Sequence, residues 1–544
     1  MSVMTEPSGS SPLAPTPSAA LTEPEKVANT YDAIPYSVNA FPQTHPDRLA
    51  IIATLFGLNP APPDQCRVLE LGCAAGGNLI PMALLHPNSK FVGIDLSARQ
   101  IAEGQGYTSQ LGLKNLDLQH LSILDITEAF GKFDYILAHG VYSWVPPEVQ
   151  DHLLTICAKN LAPRGVAYVS YNTYPGWHAR GAIREMLWYH TEQFPEPQER
   201  IRQARGLLAF LASSLLNQEN SGGLAGYSAL VRQELALLLR TPDTYLLHEH
   251  LEEYNEPLYF HQFAGRAAAK GLQYLGEAQV SAMMATKFGA ETEQTLRQLS
   301  PDLLHMEQYM DFLRNRMFRQ TLLCHDDIQL DHTLRPETVK DFYVASSAKP
   351  VAEKPDITSD QPADFVSVGL PKLTTHDPLM KAAMVHLAQL WPRSIPFAEL
   401  LSAARGRLTQ PPATTDEQTL ATRLLNCYVS QLVDFSLAAP KFTLQISPLP
   451  VASPWARLRA GMDTKVTTLR LESLNLSEPS RLILRHLDGT HDRAALTALL
   501  AAWIAEHPPK SEADAQPAAS PETLAAQYVE QVLPIFAQGA LLIG

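Results

Sequence analysis

The segment Glu70-Leu71-Gly72-Cys73-Ala74-Ala75-Gly76-Gly77-Asn78 constrains the fold more than any other, because it joins the apolar run RVLELG (67–72) to a helix-forming stretch. Glycines let the backbone turn sharply and approach a ligand, and the free amides of the helix start favour a carboxylate or phosphate. The same alternation continues to Tyr171. Short apolar runs KFVGID (90–95), LDLQHLS (116–122), KFDYILAH (132–139) and GVAYVSY (165–171) are separated by amphipathic stretches at 98–112 and 146–163. In the second stretch Val149, Leu153, Ile156 and Leu161 share one face. Strands alternating with helices predict an α/β, doubly wound sheet with five parallel strands, whose ligand crevice lies at their carboxyl ends.

Spacing narrows the ligand. A dinucleotide loop needs GxGxxG, whereas Gly72 and Gly76 here bracket three residues with Ala at 74. A Walker loop needs Lys after its last Gly, and Asn78 stands there. Asp95 ends the second strand, where a carboxylate accepts hydrogen bonds from the ribose hydroxyls of an adenosyl group. Together these residues resemble the class I S-adenosylmethionine-dependent methyltransferases, with their Rossmann-like sheet. The resemblance implies S-adenosyl-L-methionine as cofactor, held by Glu70, Gly72, Gly76, Asn78, Asp95, Leu96, Ser122 and Ile123. Tyr31, in YDAIPY (31–36), is expected to fold over it as a lid. Two departures stand out: relatives carry Gly at Ala74, and many carry Asp at Ser122, next to the adenine amine.

The fourth strand runs into His139-Gly140-Val141-Tyr142-Ser143-Trp144, and the fifth into Tyr171-Asn172-Thr173-Tyr174-Pro175-Gly176-Trp177-His178. By the resemblance, the first of these loops faces the methyl group. Tyr31, Tyr36, Tyr142, Trp144, Tyr171 and Tyr174 are expected to converge on one mouth, where aromatic faces hold a sulfonium and an amine and tyrosine hydroxyls orient the lone pair. Tyr142, Trp144, Tyr171 and His139 are the candidate catalytic residues. His139 either accepts the proton or fixes the cofactor's amino-acid end. No metal is expected, since HEHLEEYNEPLYFH (248–261) lacks the HExxH spacing.

Residues 1–27 read as a disordered tail rich in Ser, Pro and Thr, without the basic start and apolar stretch of a secretory signal. The catalytic domain is expected over 28–330, with a helical insertion at about 178–245 and two late strands completing its sheet. Ile201, Ala204, Leu208, Leu211 and Leu215 form the apolar stripe of the insertion, read as a subunit contact or as packing on the C-terminal half. Residues 331–365 are expected to be a linker, with a surface hairpin as the alternative, followed by a mixed helical and winged-helix-like domain over 366–544 in which KFTLQISP is a strand. The 42 Lys and Arg against 56 Asp and Glu leave a net charge of −14, which disfavours nucleic acid as a partner. No apolar run reaches membrane-spanning length, and five scattered cysteines without CxxC spacing fit a reducing cytoplasm.

Across residues 28–540 the motifs AHGVYSWVP and YNTYPGWH resemble the bacterial methyltransferases with a methyltransferase regulatory domain, a group that includes lysine methyltransferases of outer-membrane proteins. The resemblance implies methyl transfer to lysine of a protein substrate, an outer-membrane protein before export being one such, and a homodimer built on the insertion. A small-molecule methyltransferase and a cofactor-binding regulator without turnover are the alternatives.

Overall fold

The computed structural model describes residues 38–216, 225–409, 411, 413–439, 441–507 and 519–544. The expected tail, Tyr31 and Tyr36 lie outside them. Helix α1 (Pro46–Leu55) leads into β1 (Arg67–Leu71), α2 (Leu79–Leu85), β2 (Lys90–Asp95), α3 (Ala98–Gln110), β3 (Leu116–His120), β4 (Phe133–Ala138), α4 (Pro147–Asn160) and β5 (Leu161–Asn172). All five strands pair in parallel. Each inner strand is buried on both faces, which is why the runs read as continuous apolar sequence. Val68, Tyr135 and Tyr168 face a core shared with α1 and α2, whereas Leu69, Ile136, Val169 and Tyr171 face the core beneath α4.

After β5 the chain leaves the sheet for α5 (Trp177–Thr191), α6 (Pro197–Leu216) and α7 (Ala225–Leu238). It returns through α8 (Phe260–Ala268), β6 (Leu272–Glu277), α9 (Leu303–Arg314) and β7 (Phe318–His325). Gly271, at φ +79°, makes the turn between α8 and β6 that a side chain would strain. The seven strands lie in the order β3-β2-β1-β4-β5-β7-β6, with β7 antiparallel to both neighbours. The stripe of the insertion is satisfied internally: Ile201, Ala204 and Leu208 are buried and Leu211 half-buried against Ile183, Leu187, Val231 and Leu235. The Leu215 side chain lies outside the described residues.

The expected linker is a structured element instead. Tyr343–Ala345 is the central strand of a three-stranded sheet between Ile395–Pro396 and Asp434–Ser436, and Val339, Phe342, Val344 and Phe365 are buried. Its polar composition reflects the exposed tip, since Lys349–Pro350 and Ala363–Val366 pair as a hairpin. KFTLQISP (441–448) forms no strand; Lys441 is drawn to Asp64 and the Leu85 carbonyl, and Thr443 N–H donates singly to the Leu542 carbonyl. Helices Pro378–Leu390, Phe397–Arg405 and Asp416–Val429 share one core, whereas Pro454–Ala460, Glu478–Arg485, Arg493–Glu506 and Pro521–Gln538 share another beside a small β wing, Lys465–Thr467 with Ser473–Asn475.

Candidate active site

A cavity of about 630 Å³ opens at the carboxyl ends of β1, β2, β4 and β5. Its inner end is the glycine loop. Gly72, at φ +76°, has no room for a side chain, because a Cβ would sit 2.6 Å from Val141 Cγ2. Ala74 adopts φ +49°, a left-handed conformation that explains why Gly is common there, and its N–H donates to Asp95 Oδ2 at 2.8 Å. Asp95 Oδ1 accepts from Ser97 N–H, so the carboxylate is fixed at the switch point between strands. At Gly77 a Cβ would meet Val38 Cγ1 at 2.6 Å and the Asn39 carbonyl at 2.9 Å, which lets the segment before α1 lie directly across the loop.

Glu70 is buried under this loop. Asn78 Nδ2 donates to its Oε1 at 2.8 Å, while Oε2 has no partner. Burial pushes its carboxyl up from 4.5 to about 7, against the Asn78 hydrogen bond and with the help of the Asp95 charge. A buried, half-satisfied carboxylate on a cavity wall suits a cation. Gln100, on the inner face of α3, is likewise buried with an unpartnered Oε1. Leu96, Leu121, Ser122, Ile123 and Leu124 line the neighbouring wall, Ser122 capping its own turn through Leu124 N–H. These groups fit an adenosyl amino acid: a carboxylate for the ammonium, Asp95 for the ribose, Gln100 as an acceptor and apolar walls for the base.

Of the expected cofactor residues, Glu70, Gly72, Asn78, Asp95, Leu96, Ser122, Ile123 and His139 all line this cavity. Gly76 does not; at φ +73° it packs against Leu118, and a Cβ there would come within 2.9 Å of that side chain. Trp144 and His139 line the cavity, but Tyr142 and Tyr171 do not, and the expected aromatic mouth is not formed by them. Strand parity is the reason for Tyr171: with Val169 it faces the core under α4, stacked on Phe263 at 4.1 Å, and its hydroxyl meets Thr321 Oγ1. The short turn Tyr142–Trp144 buries Tyr142 beside Phe263 and turns only Trp144 outward. Tyr174 also stays off the cavity, stacked on His178.

His139 Nδ1 pairs with Tyr168 Oη at 2.9 Å, and Phe41 lies 4.0 Å from its ring. Burial lowers its pKa to about 4, so it is neutral at pH 7. The cavity is also lined by Asn172, Trp177, Met317 and Phe318, and by Arg180, Tyr245 and Glu249 from the chain between β5 and α8. Asn172, Trp177 and Glu249 sit in motifs already singled out; Arg180 and Tyr245 carried no local signal, because only the return of the chain brings them over the sheet. His248 of the histidine-rich stretch pairs with Glu252 at 2.9 Å.

The comparisons agree with this geometry. Residues 69–167 match a methyltransferase domain, residues 242–325 a predicted methyltransferase regulatory domain, and residues 449–541 the C-terminal winged helix domain of PKMT. The chain is 35% identical over 484 residues to the uncharacterized protein RP789 of Rickettsia prowazekii, covering 86% of this chain and 85% of that one. It is 43% identical to RP028 of the same organism over 45% of this chain and 96% of that one. PKMT2 from Rickettsia typhi, solved alone and in complex with AdoHcy, superposes with a TM-score of 0.83 at 32% identity, over 94% of this chain and all of that one (100%).

Proposed function

We propose that this chain, which belongs to the S-adenosylmethionine-dependent methyltransferase family of PKMT2, transfers methyl groups to lysine side chains of a protein substrate. The observation that carries the reading is the continuity of the cavity. One cavity of about 630 Å³ is lined both by Glu70 and Asp95 and by Trp144, Asn172 and Trp177. S-adenosylmethionine supplies a methyl group on a sulfonium. The chain supplies placement: Glu70 receives the ammonium, Asp95 the ribose, and Gln100 with the Leu121–Leu124 wall the rest of the nucleoside. His139 is neutral and tied to Tyr168, so it holds the loop after β4 without placing a positive charge beside a sulfonium. Trp144 and Asn172 orient the amine, Asn172 being fixed through its Nδ2 on Asn255 Oδ1 at 2.9 Å. Alignment is the main requirement of an in-line displacement, and fixed walls provide it.

In this reading the substrate is an outer-membrane protein met in the cytoplasm before export. Five free, buried cysteines agree with a reducing compartment, and among the described residues no helix is long and apolar enough to cross a membrane. The enzyme is a homodimer through the insertion, where Tyr189 (81% exposed) and Phe210 (62% exposed) present apolar surface. Light scattering that shows a monomer at micromolar concentration rejects the dimer. Methyl-labelled cofactor incubated with fractionated cell extract tests the activity itself. Label is expected in protein and, after hydrolysis, in methyl-lysine; label confined to small molecules rejects the proposal.

A further inference from the structure

Two residues of the cavity lining are also surface residues: Met317 is 43% exposed and Phe318 38%, although both are large and apolar. They stand where α9 turns into β7, and that turn is pinned to the loop after β5. Asn315 takes a left-handed conformation at φ +49°, Thr173 N–H donates to the Met317 carbonyl and Gly176 N–H to the Arg316 carbonyl, each at 2.9 Å. Gly176 lies so close to the turn that a Cβ would come within 2.3 Å of Met317 Cγ. Arg316 closes the turn, its Nε donating to the Phe318 carbonyl at 3.0 Å and its Nη2 to Glu277 Oε2 at 2.5 Å. A backbone held at this many points keeps the two side chains where they are. Phe312, 46% exposed in the last turn of α9, extends the apolar surface: its ring meets Tyr259 edge-on at 5.9 Å, and Tyr259 in turn reaches Tyr174 and His178, on either side of Gly176.

Large apolar side chains held together in water at the edge of a cavity mark a contact surface. Among the described lining residues one more large apolar side chain is exposed, Leu124, and it adjoins Ser122 and Ile123 in the wall assigned to the nucleoside. The edge at Met317 and Phe318 is left for the methyl acceptor, and there Phe318 meets the His139 ring edge-on at 6.2 Å, beside the loop after β4. We propose that Met317, Phe318 and Phe312 form a docking lip that takes an apolar side chain of the protein substrate within about two residues of the target lysine. Two residues of extended chain span about 7 Å, so a segment that delivers its lysine past Met317 lays its neighbours on the lip. The inference rests on the lysine reading above and adds the sequence context that the site selects. An unbranched thioether adapts its shape, so the lip accepts leucine, valine or phenylalanine alike, and a lysine flanked only by polar residues forgoes this burial.

The test separates recognition from turnover. The full chain, loaded with S-adenosylhomocysteine, is titrated in a calorimeter with two blocked pentapeptides, alanyl-leucyl-lysyl-leucyl-alanine and its counterpart with serine in place of both leucines. The wild type is expected to prefer the leucine peptide by about tenfold, and Met317→Ser and Phe312→Ser each to lose about threefold or more of that preference. Ile535→Ser, which removes a comparably exposed apolar side chain from the C-terminal half, should leave it unchanged. Affinity for S-adenosylhomocysteine should be the same in all four proteins, which shows that the cavity is intact. Equal affinity of the wild type for the two peptides, binding of neither, or a full leucine preference in both lip variants overturns the inference. So does a loss of S-adenosylhomocysteine affinity in the lip variants with the peptide preference kept, since it would assign these side chains to the cofactor. Leucine preference without methyl transfer to any protein instead overturns the lysine methyltransferase reading and leaves the lip standing as a docking surface for apolar segments.

Discussion

Glu70 shows how one side chain sets the conditions under which the site works. Its carboxyl, pushed from 4.5 to about 7, binds a proton more tightly in the folded chain than in the unfolded one. Between those values the native state holds the extra proton, so the contribution of Glu70 to stability falls as pH rises, by about 3 kcal/mol once pH is well above 7. A cofactor ammonium against the unpartnered Oε2 reverses the preference, since it favours the ionised form. Cofactor affinity should therefore rise with pH between 6 and 8, with a proton released on binding. Calorimetry in two buffers of different ionisation heat reads that proton directly. Glu70→Gln should bind more weakly with a flat profile; a slope equal to wild type would show that another group titrates. A second residue-scale prediction concerns Gly77. Its substitution by Ala must push Val38 and Asn39 off the loop, and cofactor affinity should fall at least tenfold, about 1.4 kcal/mol, in calorimetry while the far-ultraviolet circular dichroism is preserved.

At the scale of elements, the strands were the most legible part of the chain. Runs of β-branched and apolar residues are what a sheet covered on both faces requires, and Lys90–Asp95 and Leu272–Glu277 are readable from that pattern alone. The glycine loop was legible because its backbone needs special residues. What was not legible is which side of a covered strand a tyrosine serves: on β5 both faces are buried, so Tyr168 and Tyr171 look alike in sequence although only Tyr168 touches His139. The contribution of the insertion to the cavity was equally hidden, because it depends on a long-range return of the chain. These placements separate the three aromatic residues first expected to act together. Trp144→Ala should lower kcat by on the order of a hundredfold with cofactor binding retained, because the amine loses a wall that aligns it. Tyr142→Phe should leave kcat within about twofold, and Tyr171→Phe should cost about 1 kcal/mol of stability through the lost Thr321 hydrogen bond, with little effect on turnover. Equal loss of turnover in all three variants would mean that the buried tyrosines reach the substrate after all.

At the scale of the whole molecule, the C-terminal half is bound to the catalytic half at the segment that covers the cofactor loop. Lys465 Nζ donates to Asn39 Oδ1 at 2.7 Å, Trp455 packs its ring edge against Tyr107, and Asp47 accepts from Leu437 N–H. Beneath that seam the rings of His45 and His86 meet through their Nε2 atoms at 3.3 Å, with Asp64 on His86 Nδ1 and Lys441 on Asp64. His45 Nδ1 accepts from Asp47 N–H, so a neutral His45 must carry its proton on Nε2 and point it at His86. Protonating both rings would place two N–H groups and two positive charges face to face. Burial holds both pKa values below 6.5, His45 furthest; the charges of His86, Arg48 and Lys441 add to it at His45, whereas at His86 the hydrogen bond to Asp64 opposes it. A histidine with a depressed folded pKa contributes stability that is complete above the unfolded value and is lost as pH falls below it, because the unfolded chain takes up the proton first. Asp47 works in the other direction, its carboxyl raised by burial to about 6, so it offsets part of the loss as pH falls from there. Two histidines outweigh one carboxylate, and the seam should loosen on acidification. Lowering the pH from about 7.5 to 5.5 should lower Tm, and cofactor affinity should fall with it as the segment over Gly77 loses its support. His45→Asn keeps a helix cap on α1 and removes the titrating ring, so it should flatten the pH dependence of Tm in calorimetry. A wild-type Tm that does not fall over this range, or a His45→Asn profile parallel to wild type, would place the acid sensitivity of the protein away from the seam.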